Sequence, residues 1–534
     1  MQSLDLSRPG PGRFAEHSGK HWRNTLTAFA VAILWVSLPG LTNGQTASSP
    51  AASPPPAPKP GDQYTYREVM IPMRDGVRLH TVILTPVGAR APLPILLKRT
   101  PYALPDKAPA ELGEWMSALA ADGYIFVTQN LRGRFKSEGV FRLSDDVKID
   151  PGKGTIETRD GWDTIDWLVK NIPNNNGRVG IYGVSYNGYT AAATLLDPHP
   201  ALKAVSEQAS PVDQWMNDDM HRYGALRLSY NFEYAIMEES DKNADTEFKF
   251  DTWDTYDFYL SAGPVSTLND KYAHGKIPYW NETIAHPDYD AFWKQQAWVS
   301  ALHGATVPNL NVAGFWDQED PWGPWRIYRQ SAAADPDHVN LMVAGPWYHG
   351  AWHLNVSKLG GMPLGEDTSQ SFRREIEAPF FAYWLHGRGR KPDWAARIFE
   401  TGSNVWRTYQ AWPPASTATN LYLHADGSLS FTAPGPSESA GRRSYISDPA
   451  NPVPYRQRPV SPTYPAGDWR TWESADQRFV DHRPDVLSFV SAPLTDDITV
   501  AGEVSAELFA ATSGTDSDFI VKLIDVFQIG RAHV

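Results

Sequence analysis

Short apolar runs alternate with longer amphipathic segments through the middle of the chain. A short apolar run bounded by turn residues predicts a buried strand, and apolar positions spaced three and four apart predict a helix. Strands are therefore predicted at residues 66–72, 79–85, 94–98, 124–128, 178–182, 203–207, 309–315 and 339–344. Helices are predicted at residues 110–121, 161–171, 189–196 and 371–385. Repeated alternation of strand and helix predicts a mostly parallel sheet covered by helices, which places the chain in the α/β class.

Two parts of the chain break this alternation. Residues 213–299 are rich in Trp, Tyr and Asp and carry amphipathic stretches, which predicts a helical cap inserted into the sheet domain. From Ile398 onward, short strands with frequent Pro and Gly predict an all-β sandwich or jelly-roll domain, with one strand at 518–526. The expected domains are an α/β core in two parts (64–212 and 301–395), the cap between them (213–300) and the β domain (396–534).

The N-terminal residues have the pattern of an export signal. Lys20 and Arg23 precede an apolar run at residues 26–38, which Pro39 and Gly40 end, and small residues follow. The run is short for a membrane span, although an uncleaved membrane anchor is the alternative. We expect a signal peptide at 1–45, a Pro-rich linker at 46–63, and an exported protein, periplasmic or secreted, without stable membrane association after cleavage.

The C-terminal hexapeptide, Ile529 to Val534, ends the chain soon after a predicted strand. The same hexapeptide is what a common sequencing adapter encodes when it is read in frame. Our hypothesis is that the natural chain continues and that the β domain here is incomplete. Resequencing of the gene tests this, and a stop codon directly after Val534 would contradict it.

Composition narrows the range of functions. The chain has 534 residues, of which 42% are hydrophobic, enough for a large core. A net charge of -13 argues against a nucleic-acid partner, since binding to phosphates needs a basic surface. The absence of cysteine excludes thiol nucleophiles, disulfides and cysteine-ligated metals. No motif requires a metal or a cofactor.

The segment from Gly183 to Gly188 is a candidate nucleophile elbow. It reads Gly-Val-Ser-Tyr-Asn-Gly and lies between a predicted strand and a predicted helix. Such a turn lifts the hydroxyl of Ser185 out of the sheet, and the following helix offers free N–H groups to a developing oxyanion. The second glycine stands three residues after the serine, where Asn187 occupies the usual position, so an ordinary turn is the alternative.

A nucleophilic serine needs a base, and the base needs an orienting acid. In the order serine, acid, histidine, the acid should follow a later strand, and Asp317 comes directly after the strand predicted at 309–315. His349 comes just after the next predicted strand. The competing histidines are His353, four residues further on, and His338, which precedes the strand and so lies at its wrong end.

The oxyanion formed during acyl transfer needs hydrogen-bond donors. Tyr102 follows the predicted strand at 94–98, so its hydroxyl could donate beside the backbone N–H of Tyr186. An ordinary loop tyrosine is the alternative for Tyr102.

These motifs together resemble the α-amino acid ester hydrolases, within the larger serine-hydrolase group that includes cocaine esterase and the X-prolyl dipeptidyl peptidases. The chain resembles the larger group in the motif Gly-x-Ser-Tyr-x-Gly, which stands here at residues 183–188 and accounts for the position of Gly188. The narrower similarity lies in the stretches 316–323 (Trp-Asp-Gln-Glu-Asp-Pro-Trp-Gly), 217–219 (Asn-Asp-Asp), 129–133, 195–200 and 345–350, and it spans residues 64–526. One departure is Asn130, which stands where relatives usually carry an Asp, a change that bears on an ion pair around Arg132.

The resemblance implies roles for single residues. Ser185 would be the nucleophile, His349 the base and Asp317 the orienting acid, with Tyr102 and the N–H of Tyr186 as the oxyanion hole. Asp219, Glu319 and Asp320 match the carboxylate cluster that holds the α-ammonium group of the substrate in this family. The implied fold is an α/β-hydrolase core with a helical cap and a C-terminal jelly roll, often assembled as a homotetramer.

Elementary electrostatics supports the cluster independently of the resemblance. A buried ammonium group is costly unless it is paired, and carboxylates that repel one another in an empty site are relieved by a cation. The expected activity is hydrolysis of α-amino acid esters through an acyl-enzyme, with acyl transfer to β-lactam nuclei as an extension. The alternative activities are those of another carboxylesterase, a glutaryl acylase or an X-prolyl peptidase of the same group. For residues 319–320 the alternative is a solvated acidic loop without a binding role. For the whole chain the alternative is a non-catalytic protein that binds glycans or a partner.

Overall fold

The computed structural model describes residues 3–5, 63–109, 112–438, 441–465, 467–526 and 532–533, of which 3–5 and 532–533 are described by their backbone alone. The leader and the linker predicted at 1–63 lie almost entirely outside these ranges, as does most of the C-terminal hexapeptide. The chain forms two compact units, one made of residues 1–54 and 503–515 and the other of residues 55–502 and 516–534. In the first unit, Ser3–Asp5 pairs antiparallel with Glu507–Phe509.

The second unit is built on a ten-stranded mixed sheet. Its strands in chain order are β1 Tyr64–Pro72, β2 Arg78–Pro86, β3 Leu93–Thr100, β4 Ile125–Asn130, β5 Asn175–Val184, β6 Leu202–Gln208, β7 Asn309–Gly314, β8 Asn340–Gly345, β9 Ala396–Glu400 and β10 Val405–Tyr409. Their order in space is β10-β9-β8-β7-β6-β5-β3-β4-β2-β1. The strands from β3 to β9 run parallel, while β1, β2 and β10 pair antiparallel at the two edges. All eight strands predicted in the core are present.

Helices cover the sheet and form the cap. They are α1 Ser117–Asp122, α2 Leu143–Val147, α3 Ile156–Asn171, α4 Tyr186–Ala193, α5 Leu228–Glu239, α6 Thr255–Ala262, α7 Ser266–Leu268, α8 Pro278–Ala285, α9 Ala291–Gln296, α10 Gly323–Ala332, α11 Thr368–Phe372 and α12 Ala378–Phe381. The helix predicted at 371–385 is confirmed as a continuous helical run over 368–386, in which π-helical turns follow α11 and α12. Among the described residues, no helix is both long and apolar enough to span a membrane.

Two predicted elements are shorter in the structure. The helix predicted at 110–121 is reduced to a 3-10 turn, Glu114–Met116, followed by α1, because Gly113 lies in an extended conformation before the turn. The strand predicted at 518–526 is limited to Asp525–Val526, which pairs with Ala532–His533. In the second unit, the other strands described after β10 are also short, namely Tyr422–Leu423, Ser428–Ser430 and Val490–Ser491, and they form one small sheet.

Apolar residues are buried on both faces of the large sheet, as expected for parallel strands. On β3 and β5, Ile95 and Ile181 lie in the core on one face, and Leu96 and Tyr182 lie in the core on the other. In the segment between β6 and β7, Phe232 of α5 packs edge to face against the fully buried Trp280, and both belong to the core on the same face of the sheet as Ile95 and Ile181. A core of this kind fixes the carboxyl ends of β5, β6, β7 and β8 at one edge, where the candidate site lies.

Candidate active site

Ser185 lies at the turn from β5 to α4 with a strained backbone. Its φ of 65° and ψ of -130° belong to a region that residues other than glycine rarely adopt. The two flanking glycines permit this turn. A Cβ on Gly183 would lie 2.2 Å from the carbonyl oxygen of Asn187, and a Cβ on Gly188 would lie 2.4 Å from that of Gln208 on β6. The close approach of α4 to β6 therefore explains why glycine is needed three residues after Ser185.

His349 and Asp317 meet at the same edge of the sheet. The Nδ1 atom of His349 lies 2.9 Å and 3.0 Å from the two carboxylate oxygens of Asp317, which is fully buried. The backbone N–H of His349 donates to the side-chain carbonyl of Gln318 at 3.2 Å, which fixes the loop that carries it. A Cβ added to the next residue, Gly350, would lie 3.7 Å from the Cγ1 of Val184. The His349 loop therefore passes close to the residue before Ser185.

The hydroxyl of Ser185 makes no hydrogen bond with any described residue, and Ser185 itself is half-buried. Of the three residues predicted to act together, the structure joins His349 to Asp317 by hydrogen bonds and puts Ser185 after β5, at the same edge of the sheet but separated from β7 by β6. The competitors have other surroundings. His353 stacks on Trp115 with ring centroids 4.3 Å apart, and His338 lies before β8 at its far end.

Two further predicted groups follow β5 and β3, which are neighbours in the sheet. Tyr186 is the first residue of α4, so its backbone N–H has no partner within the helix, and its own hydroxyl donates to Asp146 at 3.0 Å. Tyr102 is half-buried, and its hydroxyl lies 3.3 Å from that of Tyr234 on α5. Burial, the nearby Glu238 carboxylate and two further carboxylates raise the pKa of Tyr102 well above its ordinary value, which keeps its hydroxyl proton in place.

Asn130 stands where relatives usually carry an Asp, but it does not take part in the ion pairs of Arg132. Arg132 keeps its ion pairs, with Asp160 at 2.6 Å and with Asp75 at 2.6 Å, so it does not depend on residue 130. The side-chain amide of Asn130 donates instead to the carbonyl oxygen of Tyr102 at 2.7 Å. A carboxylate could not donate there, so the amide holds the Tyr102 loop.

The three carboxylates predicted to form a cluster are adjacent. The hydroxyl of Tyr230 on α5 donates to Asp219 at 2.6 Å and lies 3.1 Å from Glu319. Asp320 is fully buried and lies within hydrogen-bonding reach of the carboxyl group of Asp219, but no N–H or hydroxyl group of the described residues donates to either of its oxygens. A buried carboxylate without a partner is unfavourable unless the site is completed by a cation or a proton.

Burial dominates the electrostatics of this cluster. It raises the pKa of Asp219 and of Glu319, and it raises the pKa of Asp320 well above its usual range, with the neighbouring carboxylate of Asp219 adding to the effect. Arg227 lies next to the cluster, but its guanidinium donates to the backbone carbonyls of Asp219 and Glu319, each at 2.9 Å. Within the described ranges, no group of His, Cys, Asp or Glu side chains has the arrangement of a metal site.

One buried carboxylate links the cluster to the histidine. Besides holding His349, the Oδ1 atom of Asp317 accepts the backbone N–H groups of Glu319 at 2.9 Å and of Asp320 at 3.0 Å. Asp218 has a similar bridging role, since it accepts the N–H of Val212 at 2.8 Å and that of Gly323 at 3.0 Å. The loop after β6 and the loop after β7 are therefore held together.

Sequence reasoning missed several residues that complete the cluster. Tyr230 bridges two of its carboxylates, and Trp469 donates its indole N–H to Glu319 at 3.3 Å. The ring of Trp469 stacks on that of Tyr230 with centroids 5.6 Å apart. The spacing of Tyr230 and Tyr234 along one helix face was an available signal. For Trp469, 150 residues after Glu319, no local pattern could have given the contact.

Comparison with known proteins identifies relatives of both parts of the chain. Residues 75–351 match the family described as X-Pro dipeptidyl-peptidase (S15 family), and residues 383–534 match the X-Pro dipeptidyl-peptidase C-terminal non-catalytic domain. A cocaine esterase of Rhodococcus sp. (strain MB1 Bresler) is 30% identical over 88% of this chain and 82% of its own length.

Two solved structures are similar over most of the chain. An α-amino acid ester hydrolase superposes with a TM-score of 0.79 and 37% identity, covering 86% of this chain and 77% of that one. An aminopeptidase from the marine sediment archaeon Thaumarchaeota archaeon superposes with a TM-score of 0.77 and 39% identity, covering 85% of this chain and 76% of that one. These similarities support the α/β-hydrolase-like sheet and a β-rich C-terminal domain.

Proposed function

Since this chain belongs to the X-Pro dipeptidyl-peptidase (S15) family of serine hydrolases, within the group that includes cocaine esterase, we propose that it hydrolyses esters of α-amino acids through an acyl-enzyme. The observation that carries the proposal is the buried pair of carboxyl groups of Asp219 and Asp320, which lie within hydrogen-bonding reach of each other, while no N–H or hydroxyl group of the described residues donates to Asp320. Such a cluster next to a serine–histidine site favours a substrate that brings its own positive charge.

In the proposed mechanism, the hydroxyl of Ser185 attacks the ester carbonyl while the Nε2 atom of His349 takes its proton. Asp317 holds the imidazole by its Nδ1 side and stabilises the imidazolium that forms. The oxyanion accepts hydrogen bonds from the hydroxyl of Tyr102 and the backbone N–H of Tyr186. The imidazolium then returns its proton to the leaving alcohol, and a water molecule, activated by His349, releases the amino acid from Ser185.

The α-ammonium group of the substrate would bind among Asp219, Glu319 and Asp320. Each charge-assisted hydrogen bond of this kind contributes about 1.5–3 kcal/mol. The cation also offsets the burial and the repulsion from neighbouring carboxylates that together raise the pKa of Asp320 well above its usual range. An amine nucleophile in place of water would give acyl transfer, and the nucleus of a β-lactam is the acceptor that the resemblance suggests.

A second candidate activity is that of an aminopeptidase. The solved structure with that name is 39% identical to this chain, and an N-terminal amine of a peptide carries the same charge as an amino acid ester. The two candidates differ in the leaving group. Hydrolysis of phenylglycine methyl ester but not of a phenylglycine dipeptide would favour the esterase, and efficient cleavage of the dipeptide would favour the aminopeptidase.

The decisive experiment compares phenylglycine methyl ester with methyl phenylacetate, which differs only in lacking the amine. We expect kcat/KM for the ester without the amine to be lower by about 100-fold, as the loss of one or two charge-assisted hydrogen bonds requires. The Ser185→Ala variant should hydrolyse neither ester. Equal kcat/KM for the two esters would overturn the proposal.

A further inference from the structure

The catalytic face of His349 is directed towards the carboxylate cluster. The Nε2 atom of His349, which would take the proton of Ser185, lies 3.5 Å from the Oε2 atom of Glu319. The opposite nitrogen is held by Asp317 at 2.9 Å. Since the hydroxyl of Ser185 makes no hydrogen bond with any residue in the described ranges, the empty site pairs the histidine with two carboxylates and not with the serine.

The groups around His349 favour its charged form. Burial alone would lower the pKa of His349, but Asp317, Glu319 and Asp219 outweigh burial and raise it to about 9. Asp317 and Glu319 come from the loop after β7, and Asp219 comes from the loop after β6. From α5, the uncharged hydroxyl of Tyr230 donates to this cluster, and the uncharged hydroxyl of Tyr234 lies near Asp219.

The nearby positive charges do not cancel this effect. Arg227 directs its hydrogen bonds to backbone carbonyls of the cluster, and Arg222 is paired with Glu473 at 2.9 Å. At neutral pH the imidazole of His349 therefore carries protons on both nitrogens. An imidazolium has no lone pair, so it cannot accept the proton of a serine hydroxyl.

We propose that Glu319 holds His349 in an inactive ion pair in the empty site and that the α-ammonium group of the substrate releases it. This inference rests on the proposed function, since it assigns the ammonium to the same cluster. When the ammonium binds to Glu319, the imidazolium loses a stabilising charge and gives its Nε2 proton to solvent. The Nε2 lone pair then becomes available to Ser185.

In this arrangement, binding of the α-ammonium group to Glu319 and activation of His349 as the base occur together. An ester without an amine can occupy the acyl pocket, but it leaves the ion pair of Glu319 and His349 intact. For that ester, kcat is therefore lowered and KM is raised, because the bound complex lacks a deprotonated histidine to act as the base.

The test is the pH dependence of kcat in the wild type and in Glu319→Gln. For methyl phenylacetate, the wild type should show a kcat that rises with pH up to an apparent pKa near 9. In Glu319→Gln this apparent pKa should fall towards the ordinary value of histidine. The kcat at pH 7 should therefore rise by about 10- to 50-fold, as the deprotonated fraction of the imidazole requires. Turnover of phenylglycine methyl ester should fall in the same variant.

Glu377→Gln is the matched control. It also removes one buried carboxylate, but Glu377 accepts a hydrogen bond from Gln208 at 2.7 Å and makes no ion pair with His349 in the described structure. It should leave the apparent pKa of kcat for methyl phenylacetate unchanged. Labelling of Ser185 by a fluorophosphonate verifies that both variants are folded.

A second measurement needs no substitution. Methylammonium chloride, compared with sodium chloride at equal ionic strength, should raise the wild-type rate on methyl phenylacetate at pH 7, because the small cation can occupy the cluster. If Glu319→Gln fails to fold, a lack of activation by methylammonium overturns the inference.

The outcomes separate the two proposals. If the wild type prefers the ester with the amine, but Glu319→Gln leaves the pH profile of methyl phenylacetate unchanged, the ion-pair inference is wrong and the proposed function stands. If the wild type treats both esters equally, both proposals are wrong.

Discussion

Two buried acidic clusters lie in the same unit and differ in one respect. Under the elbow, Glu157 and Asp160 face Arg99 and Arg132, with Arg99 and Glu157 only 2.5 Å apart and both fully buried. At the edge of the sheet, Asp219, Glu319 and Asp320 have no arginine or lysine side chain paired with their carboxylates in the described structure. The first, which we call the complete cluster, has two arginines paired with its carboxylates, and the second, the incomplete cluster, gains a cation only from a ligand. In this comparison the cluster with arginine partners supports the scaffold, and the one without them belongs to the proposed site.

Breaking the complete cluster should have the largest effect on stability. Arg99→Met leaves Glu157 buried without its partner, and the loss of one member of a buried pair costs about 3–5 kcal/mol. We expect this decrease in the free energy of unfolding by urea denaturation. The control is Arg388→Met, which removes an exposed pair with Asp122 and should change the free energy by less than about 1 kcal/mol. A small effect for Arg99→Met would mean that the two clusters do not differ in this way.

Buried carboxyls without a cation should also make stability depend on pH. Burial raises the pKa of Glu377 to about 7, while its ordinary value is 4.5. Between these values the unfolded chain releases a proton that the folded protein retains, so stability falls as pH rises through this window. The loss is roughly 3 kcal/mol for this group. In Glu377→Gln, thermal unfolding followed from pH 4.5 to 8 should show a shallower decline, and an unchanged slope would contradict the assignment.

Removing a charge from the incomplete cluster should affect activity more than stability. Asp320→Asn relieves repulsion among buried carboxylates, so we expect the free energy of unfolding to stay the same or increase. With phenylglycine methyl ester, kcat/KM should fall by about 10- to 100-fold, which corresponds to one charge-assisted hydrogen bond. A large loss of stability would show that Asp320 belongs to the scaffold.

The smallest expected effect concerns the hydroxyl that joins two members of the incomplete cluster. Tyr230→Phe removes the hydrogen bonds to Asp219 and Glu319 but keeps the stacked ring. We expect a rise in KM of about 3- to 10-fold for phenylglycine methyl ester, in line with one neutral hydrogen bond. Tyr124→Phe, which removes a buried hydroxyl without a partner at the other end of the strands, is the matched control. An equal effect in both variants would exclude a specific role for Tyr230.

The sequence predicted the core of this fold well because its signals are local. The runs that became β7 and β8 are buried at every position, so their apolar pattern was unambiguous. Asp317 and His349 could be chosen because parallel strands end at one edge. The elbow was predictable in position, but the reason for Gly188 was not, since it depends on the approach of α4 to Gln208 on a different strand.

Other features depend on contacts between distant segments. The helix predicted at 110–121 is confirmed only from Glu114 onward, because an apolar spacing does not reveal that Gly113 adopts an extended conformation. The pairing of Glu319 with His349 could not be foreseen, because it depends on side-chain directions within two loops. The role of Asn130 became clear only from its contact with the Tyr102 loop.

The position of Asp317 has a consequence for engineering. Its carboxylate orients His349 and also fixes the backbone that carries Glu319 and Asp320. A library that varies residues 317–320 would damage turnover and selectivity together, and screening could not tell which one had failed. Asp219 lies on a separate loop and shares none of these backbone bonds. Altered preference for the acyl group should therefore be sought first at Asp219, where a substitution leaves the hydrogen bonds that Asp317 makes with His349 and with the backbone intact.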